Sequence, residues 1–325
     1  MDAAARCRDS LHALGKAGTA YAGVALTRAR ARARAMAVAV ALASHAASGG
    51  AVTPLPPMAA PQATDRVLVI APHPDDETLC CAGYLQQAAR AGAAVGVVWI
   101  TAGDSFRFDA IVTEHTLHPR PAGLQRLGQR RIAEAHAAAD ALGVPRAHQF
   151  VLGFPDRGIR ALTRAPPLTR QRSRYTGVSA VPYAEAFQPG SPYTGESLRR
   201  NLQETMDRFA PTIMLVAAPQ DGHSDHSASG ALALALVRAG RSKTRVYYWI
   251  VHGGHGWPAP RGLHRTLALQ PPARAQSLAW EQLPLEPAQV AGKFLVLQEY
   301  RTQLAVMKRF LTAFVRSNEI FAPAP

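Results

Sequence analysis

The chain has 325 residues, 48% of them apolar, with 25 glycines and 25 prolines; this supplies a core for one large domain or two small ones and excludes a disordered or collagen-like polymer. The formal net charge is +14, read either as a solvated basic surface or as loose attraction to an anionic polymer or membrane surface; nucleic acid is not expected, because the basic residues do not interleave with aromatics as a stacking platform requires. The cysteines, Cys7, Cys80 and Cys81, give no C-x-x-C metal pair and no disulfide framework, since adjacent cysteines rarely pair.

Arg28 to Arg34 alternates Arg and Ala, Met36 to Ala43 is a short apolar run, and Ser44 to Ala47 offers small residues. That order is the order of a secretory signal peptide, so export to the periplasm or beyond is expected, with a disordered or helical basic tail as the alternative. The apolar run is too short to span a bilayer. Gly49 to Thr64, rich in Gly, Pro and Ala, reads as a linker, which sets residues 1–64 apart from a domain over 65–325.

Arg66 to Ala71 is a continuous apolar run, as in a buried parallel strand. A helix over Thr78–Ala91, a strand over Ala94–Thr101, a helix over Gly123–Leu142 stopped by Gly143, and a strand over Gln149–Leu152 follow. Arg160 to Tyr193 has no clear period and reads as a long insertion. Beyond it come a helix over Glu196–Phe209, a strand over Ile213–Ala217, a helix over Ser227–Arg238 and a strand over Arg245–Val251. An extension from Pro258 ends in one long helix over Val290–Phe314. The alternation predicts an α/β fold: a mainly parallel sheet with helices on both faces and its site at the carboxyl ends of the strands.

Two polar clusters fall at such strand ends. His73-Pro-Asp-Asp-Glu77 follows the first strand, and Asp221-Gly-His-Ser-Asp-His226 follows the fourth. His and Asp supply the nitrogen and oxygen ligands that Zn²⁺ accepts, and a catalytic zinc takes three of them. His73, Asp76 and His226 give that set, although another divalent ion fits the same ligand types. Asp75 is left beside them as a general base, and His223 as a second acid/base or a donor to a developing oxyanion. Asp225 is close enough in sequence to orient His223. The plainer alternatives are that Asp75, Asp76 and Glu77 cap the following helix and that His223 and His226 are surface residues. A dinucleotide site is excluded at the first turn, where acids stand in place of G-x-G-x-x-G.

With these residues in view, Ala71-Pro-His-Pro-Asp-Asp-Glu77 and His223-Ser-Asp-His226 resemble the two signature segments of the PIG-L/LmbE-like N-acetylglucosaminyl de-N-acetylases. Arg131-Ile-Ala-Glu134 and Leu152 to Gly158 resemble further segments of that family, so that the likeness covers about residues 65–255. It implies a Rossmann-like sheet, zinc on His73, Asp76 and His226, Asp75 as base, His223 stabilising the tetrahedral intermediate with Asp225 in support, and an N-acetylated amino sugar or glycan as substrate. The export-like start, the insertion and the extension point toward an envelope or extracellular glycan. A zinc amidase acting on a non-sugar N-acyl substrate is the alternative.

Several residues are candidate substrate contacts. Arg131 either holds a substrate oxygen or pairs with Glu134 on the helix surface. Asp104 and Asp156 end the second and third strands. His252 and His255 lie in a Gly-rich turn with Trp257, whose ring could stack on a sugar. Trp249 and Tyr300 are assigned to the core.

Overall fold

A computed structural model describes residues 54–325, and Leu55–Pro325 forms one compact unit. The expected signal segment and the first part of the linker lie outside the described residues. Five strands run parallel: β1 (Arg66–Ala71), β2 (Ala94–Thr101), β3 (Gln149–Phe154), β4 (Ile213–Ala217) and β5 (Arg245–Trp249). Two more, β6 (Glu281–Pro284) and β7 (Asn318–Pro323), extend the sheet antiparallel, in the order β3-β2-β1-β4-β5-β7-β6. The apolar runs of β1 and β4 are buried almost throughout, as central strands covered on both faces must be.

The helices among the described residues are α1 (Asp76–Arg90), α2 (Arg107–Thr113), α3 (Pro121–Ala141), α4 (Ile159–Arg164), α5 (Gly195–Phe209), α6 (Ser224–Ala239), α7 (Pro287–Leu297) and α8 (Arg301–Leu311). From β1 the chain winds outward through β2 and β3, then returns to the other side of β1 as β4. The connections leaving β1 and β4 therefore diverge and open a crevice at their carboxyl ends, where α1 and α6 begin. The approach of α6 to β4 requires glycine at 230: a Cβ there would lie 2.0 Å from the Ala217 carbonyl oxygen. Among the described residues no helix is long and apolar enough to cross a membrane.

Three expectations about the periphery are corrected. The end of the linker is docked, because Met58 N–H donates to the Gln282 carbonyl and Gln282 N–H to the Pro56 carbonyl, each at 2.8 Å. The single C-terminal helix is two helices, α7 and α8, separated at Gln298–Tyr300, and a strand, β7, follows them. The break lets Tyr300 turn inward, fully buried, to donate its hydroxyl to Glu77. Third, Cys80 and Cys81 have their sulfurs 2.02 Å apart, bonded despite their adjacency. Both are buried in α1.

The C-terminal extension is thus part of the domain. Lys293 on α7 and Glu319 on β7 form a buried ion pair at 2.7 Å. Lys293 also donates to the Leu79 carbonyl at 2.8 Å, and Glu319 accepts from Gly83 and Tyr84 N–H at 2.8 and 2.9 Å. These contacts tie the extension to the helix that begins with Asp76. The insertion is ordered likewise: Tyr183 and Tyr193 are buried, and Tyr193 donates to the Gly153 carbonyl at 3.2 Å.

Candidate active site

Asp75 precedes α1 with φ 118°, in a region that non-glycine residues occupy only under constraint. Its neighbours supply that constraint. Arg131 donates to the Pro74 carbonyl at 2.7 Å, and Thr78 and Leu79 N–H donate to the Asp75 carbonyl at 3.0 and 2.9 Å. Buried Glu77 accepts from Trp99 Nε1 and Thr78 Oγ1, each at 2.8 Å, and from Tyr300. Asp75 makes no side-chain cap hydrogen bond to α1, so the helix-cap alternative does not describe its carboxylate.

The three predicted ligands converge. His73 Nδ1 lies 3.1 Å from His226 Nε2 and 3.3 Å from Asp76 Oδ2, and His226 Nε2 lies 3.2 Å from Asp76 Oδ2. Tetrahedral bonds of about 2.0–2.1 Å would place ligand atoms about 3.3 Å apart. The opposite nitrogens face carboxylates: His73 Nε2 is 3.2 Å from Asp156 Oδ1 and 3.6 Å from Asp225 Oδ2, and His226 Nδ1 is 3.2 Å from Asp221 Oδ2. A proton on each of those nitrogens leaves two imidazole lone pairs facing one another beside a carboxylate oxygen whose donor is the His73 backbone N–H, so that no donor stands between the three buried acceptors. Burial opposes a charge on His226, yet Asp221 and Asp76 outweigh it and raise its pKa to about 10, so the local field favours a cation. The donor set fits a divalent metal ion.

His223 is close as well, its ring centroid 4.6 Å from that of His73 and 5.1 Å from that of His226, and the three could offer ligand atoms within 4.8 Å. Its Nδ1, however, accepts the Asp225 backbone N–H at 3.3 Å. The proton of the neutral ring is then on Nε2, which makes His223 a hydrogen-bond donor rather than a third imidazole ligand. Burial first, then the imidazoles of His73, His226 and His252, hold its pKa far below the usual value, so it is neutral. Burial is also the largest influence on Asp75, whose pKa rises to about 8 against the opposing charge of Arg131.

A cavity of about 170 Å³ joins these groups, lined by His73, Asp75, Asp76, Arg131, Asp156, His223 and His252 among others. Arg131 lines the cavity and is not paired with Glu134. It is buried, donates to the Gly103 carbonyl at 2.9 Å, and stands 3.4 Å from Asp75 Oδ2; Glu134 instead accepts from Thr302. His252 is brought into the site, with its ring 4.8 Å from His226 and stacked on Phe310 at 5.9 Å.

Of the other expected residues, Asp156 lines the cavity, whereas Asp225, Asp104, His255 and Trp257 do not. The Asp225 carboxylate does not orient His223; it accepts from Arg157 and Ile159 N–H at 2.5 and 3.2 Å, because its place in the first turn of α6 aims it at the β3–α4 turn. Asp156 touches His73 and accepts from Ser105 N–H at 3.0 Å. Asp104 is turned away into the insertion, where Tyr183 donates to it at 2.5 Å. His255 is exposed outside the cavity lining. Trp257 is no sugar platform: its Nε1 donates to the Gln270 carbonyl at 2.9 Å and its ring packs on Phe314 and close to Gly253.

The sequence reading gave Asp221 no role, although it opens the second cluster. Its Oδ2 faces His226 and accepts from Val251 and His252 N–H at 2.9 and 3.1 Å, while Oδ1 accepts from His223 N–H at 2.8 Å. Asp221→Asn is therefore expected to weaken metal binding by roughly 10–100-fold, as measured by titration against a competing chelator. Phe106, Met307 and Phe310 complete the cavity wall, and no motif announced them.

The family model described as GlcNAc-PI de-N-acetylase matches residues 68–237, just over half of the chain. The chain belongs to the PIG-L family. It is 28% identical over 193 residues to a 1D-myo-inositol 2-acetamido-2-deoxy-alpha-D-glucopyranoside deacetylase of Mycobacterium sp. strain KMS, covering 59% of this chain and 56% of that one. The first such relatives are thus matched over little more than half of their length. A protein of the same description from Saccharomonospora viridis is 29% identical over 274 residues, covering 80% of this chain and 91% of its own. The solved structure of the antimicrobial A40926 pseudoaglycone deacetylase shares the fold, with a TM-score of 0.52 at 21% identity over 80% of this chain and 96% of that one. The α/β, Rossmann-like fold expected of the sequence is thereby borne out.

Proposed function

We propose that this PIG-L family protein is a metal-dependent, zinc-using de-N-acetylase that releases acetate from an N-acetylated amino sugar. The observation that carries the reading is the convergence of His73 Nδ1, Asp76 Oδ2 and His226 Nε2 within 3.1–3.3 Å of one another, on the cavity that Asp75 and His223 also line. The similarity to deacetylases of N-acetylglucosamine-containing inositol compounds supports the choice of an acetamido sugar.

A divalent ion held by these residues supplies, when bound, Lewis-acid polarisation of the acetamide oxygen and a lowered pKa for water. Asp75 takes the proton of the attacking water. Its held backbone and the neighbouring Arg131 fix the carboxylate in place, and burial raises its proton affinity. His223, neutral and protonated on Nε2, donates a hydrogen bond to the oxyanion of the tetrahedral intermediate. Asp75, having gained a proton, passes it to the departing amine, and acetate and the free amino sugar leave. Asp156 and Asp221 keep His73 and His226 in the required tautomers.

We extend this to an exported enzyme acting on an envelope or extracellular glycan, on the strength of the basic, apolar and small-residue order of residues 28–47. The basic excess would favour loose association with an anionic surface there. The test is acetate release from a panel of N-acetylglucosamine glycosides and simple N-acyl amides, with and without chelator. Chelator-sensitive release from the sugars is expected. Release from the amides alone would move the assignment to a non-sugar amidase.

A further inference from the structure

We propose that the cleft beside the catalytic cavity is an oxyanion subsite, binding a phosphate or carboxylate that the substrate carries next to its acetylated sugar. The proposal rests on the deacetylase reading above. The catalytic cavity, about 170 Å³, is small beside the roughly 300–1,000 Å³ of ordinary ligand sites, so it holds only part of a glycan. Asp156 and Arg157 line both that cavity and a second one of about 460 Å³, so the two adjoin. A substrate extending beyond the acetamido sugar has this cleft as its continuation.

The lining of the cleft is what assigns its ligand. Arg157, Arg160, Arg164, Arg172 and Arg174 are five of its 13 lining residues, whereas Lys and Arg together make 36 of the 325 residues of the chain. An average surface would place about one or two there. Some exposed arginines elsewhere are paired, Arg126 with Glu114, Arg146 with Asp140 and Arg199 with Glu196, while others, such as Arg120, Arg208 and Arg241, are not. None of the five meets a carboxylate in this way among the described residues. The one acid in the lining, Asp156, is committed to His73 Nε2 and Ser105 N–H.

The arginines are also presented by ordered structure. Arg157 has φ 59°, a conformation held because its N–H and that of Ile159 both donate to the buried Asp225 carboxylate. Arg160 is oriented by a 2.8 Å bond to Ser227 Oγ, and Arg172 donates to the Gly177 carbonyl at 2.5 Å. Arg164 and Arg174 make no side-chain hydrogen bond among the described residues and stand exposed from opposite segments, α4 and the insertion. Guanidinium groups arranged around a concave surface next to a reaction centre suit a planar or tetrahedral oxyanion, which they bind through paired N–H donors.

The experiment measures binding to the metal-loaded protein by calorimetry at low and high salt with three probes. They are N-acetylglucosamine linked to glucuronate, an N-acetylglucosamine phosphodiester, and neutral N,N'-diacetylchitobiose. At low salt an anionic probe is expected to bind about tenfold more tightly than the neutral one, falling toward equality at high salt. In the Arg164→Ala/Arg174→Ala variant the anionic-to-neutral ratio should fall to about one. The arm that shows the preference identifies the carboxylate or the phosphate as the source. Equal affinities in the unmodified protein, or a ratio unchanged in the variant, would overturn the subsite. If no probe loses acetate, the deacetylase reading fails, while the binding ratio still decides the subsite.

Discussion

Asp75→Asn is expected to lower kcat by roughly 10²–10⁴-fold, the usual worth of a positioned general base, while the metal content of the protein stays unchanged. The substitution keeps the shape of the side chain. It preserves the contacts that the Asp75 backbone makes with Thr78 and Leu79, and the donation from Arg131 to the Pro74 carbonyl. What it removes is the ability to take and return a proton. Excess metal should therefore fail to restore the rate. Steady-state kinetics on an N-acetylglucosamine glycoside, with metal quantified in the same sample, reads both quantities. Full activity in the metal-loaded variant would show that another group takes the proton.

The neighbouring substitution, Asp76→Asn, should fail for a different reason. Asp76 Oδ2 is 3.3 Å from His73 Nδ1 and 3.2 Å from His226 Nε2, and it also accepts the His73 backbone N–H at 2.9 Å. An amide oxygen can keep that last bond but is a much poorer ligand for a divalent ion. Activity without added metal is expected to fall on the order of 10³-fold together with metal content, and excess metal should restore part of it. Two adjacent, nearly isosteric changes thus separate a base from a ligand by their opposite responses to added metal. If Asp76→Asn retained its metal as purified, Asp76 would not be a ligand.

Much of the architecture was legible because the buried strands are unbroken apolar runs. The predicted bounds of β2 and β4 agree with the structure, since Val, Ile and Leu occupy both faces and polar or turn residues end each run. The helix over Val290–Phe314 was misread for the complementary reason. Its apolar residues continue across Gln298–Tyr300, and only the buried bond from Tyr300 to Glu77, 223 residues away in sequence, shows why the chain turns there. The strand β7 was missed because a six-residue segment, here held antiparallel between β5 and β6, has too little pattern to stand out.

The site was legible to the extent that strand ends brought two clusters together. Those clusters contain the converging donors His73, Asp76 and His226 and the neighbouring Asp75 and His223. The supporting contacts were less accessible. Asp225 is next but one to His223, and sequence proximity suggested a pairing that the first turn of α6 redirects toward Arg157 and Ile159. It is Asp221 whose carboxylate stands 3.2 Å from His226 Nδ1, from a position that only the fold of the Asp221–His226 turn reveals. Trp257 looked like a sugar platform on residue type alone, yet its indole N–H and its ring are both taken up by the extension. Met307 and Phe310 come from α8, whose approach to the cavity depends on the tertiary path of that extension.

The proposed deacetylase activity requires one metal ion held by His73, Asp76 and His226. Titration of zinc into metal-free protein, with acetate release from an N-acetylglucosamine glycoside followed throughout, tests it most directly. Activity is expected to be absent at the start and to rise to a plateau at one ion per chain. Full activity in the metal-free protein would show that these residues act without a metal ion.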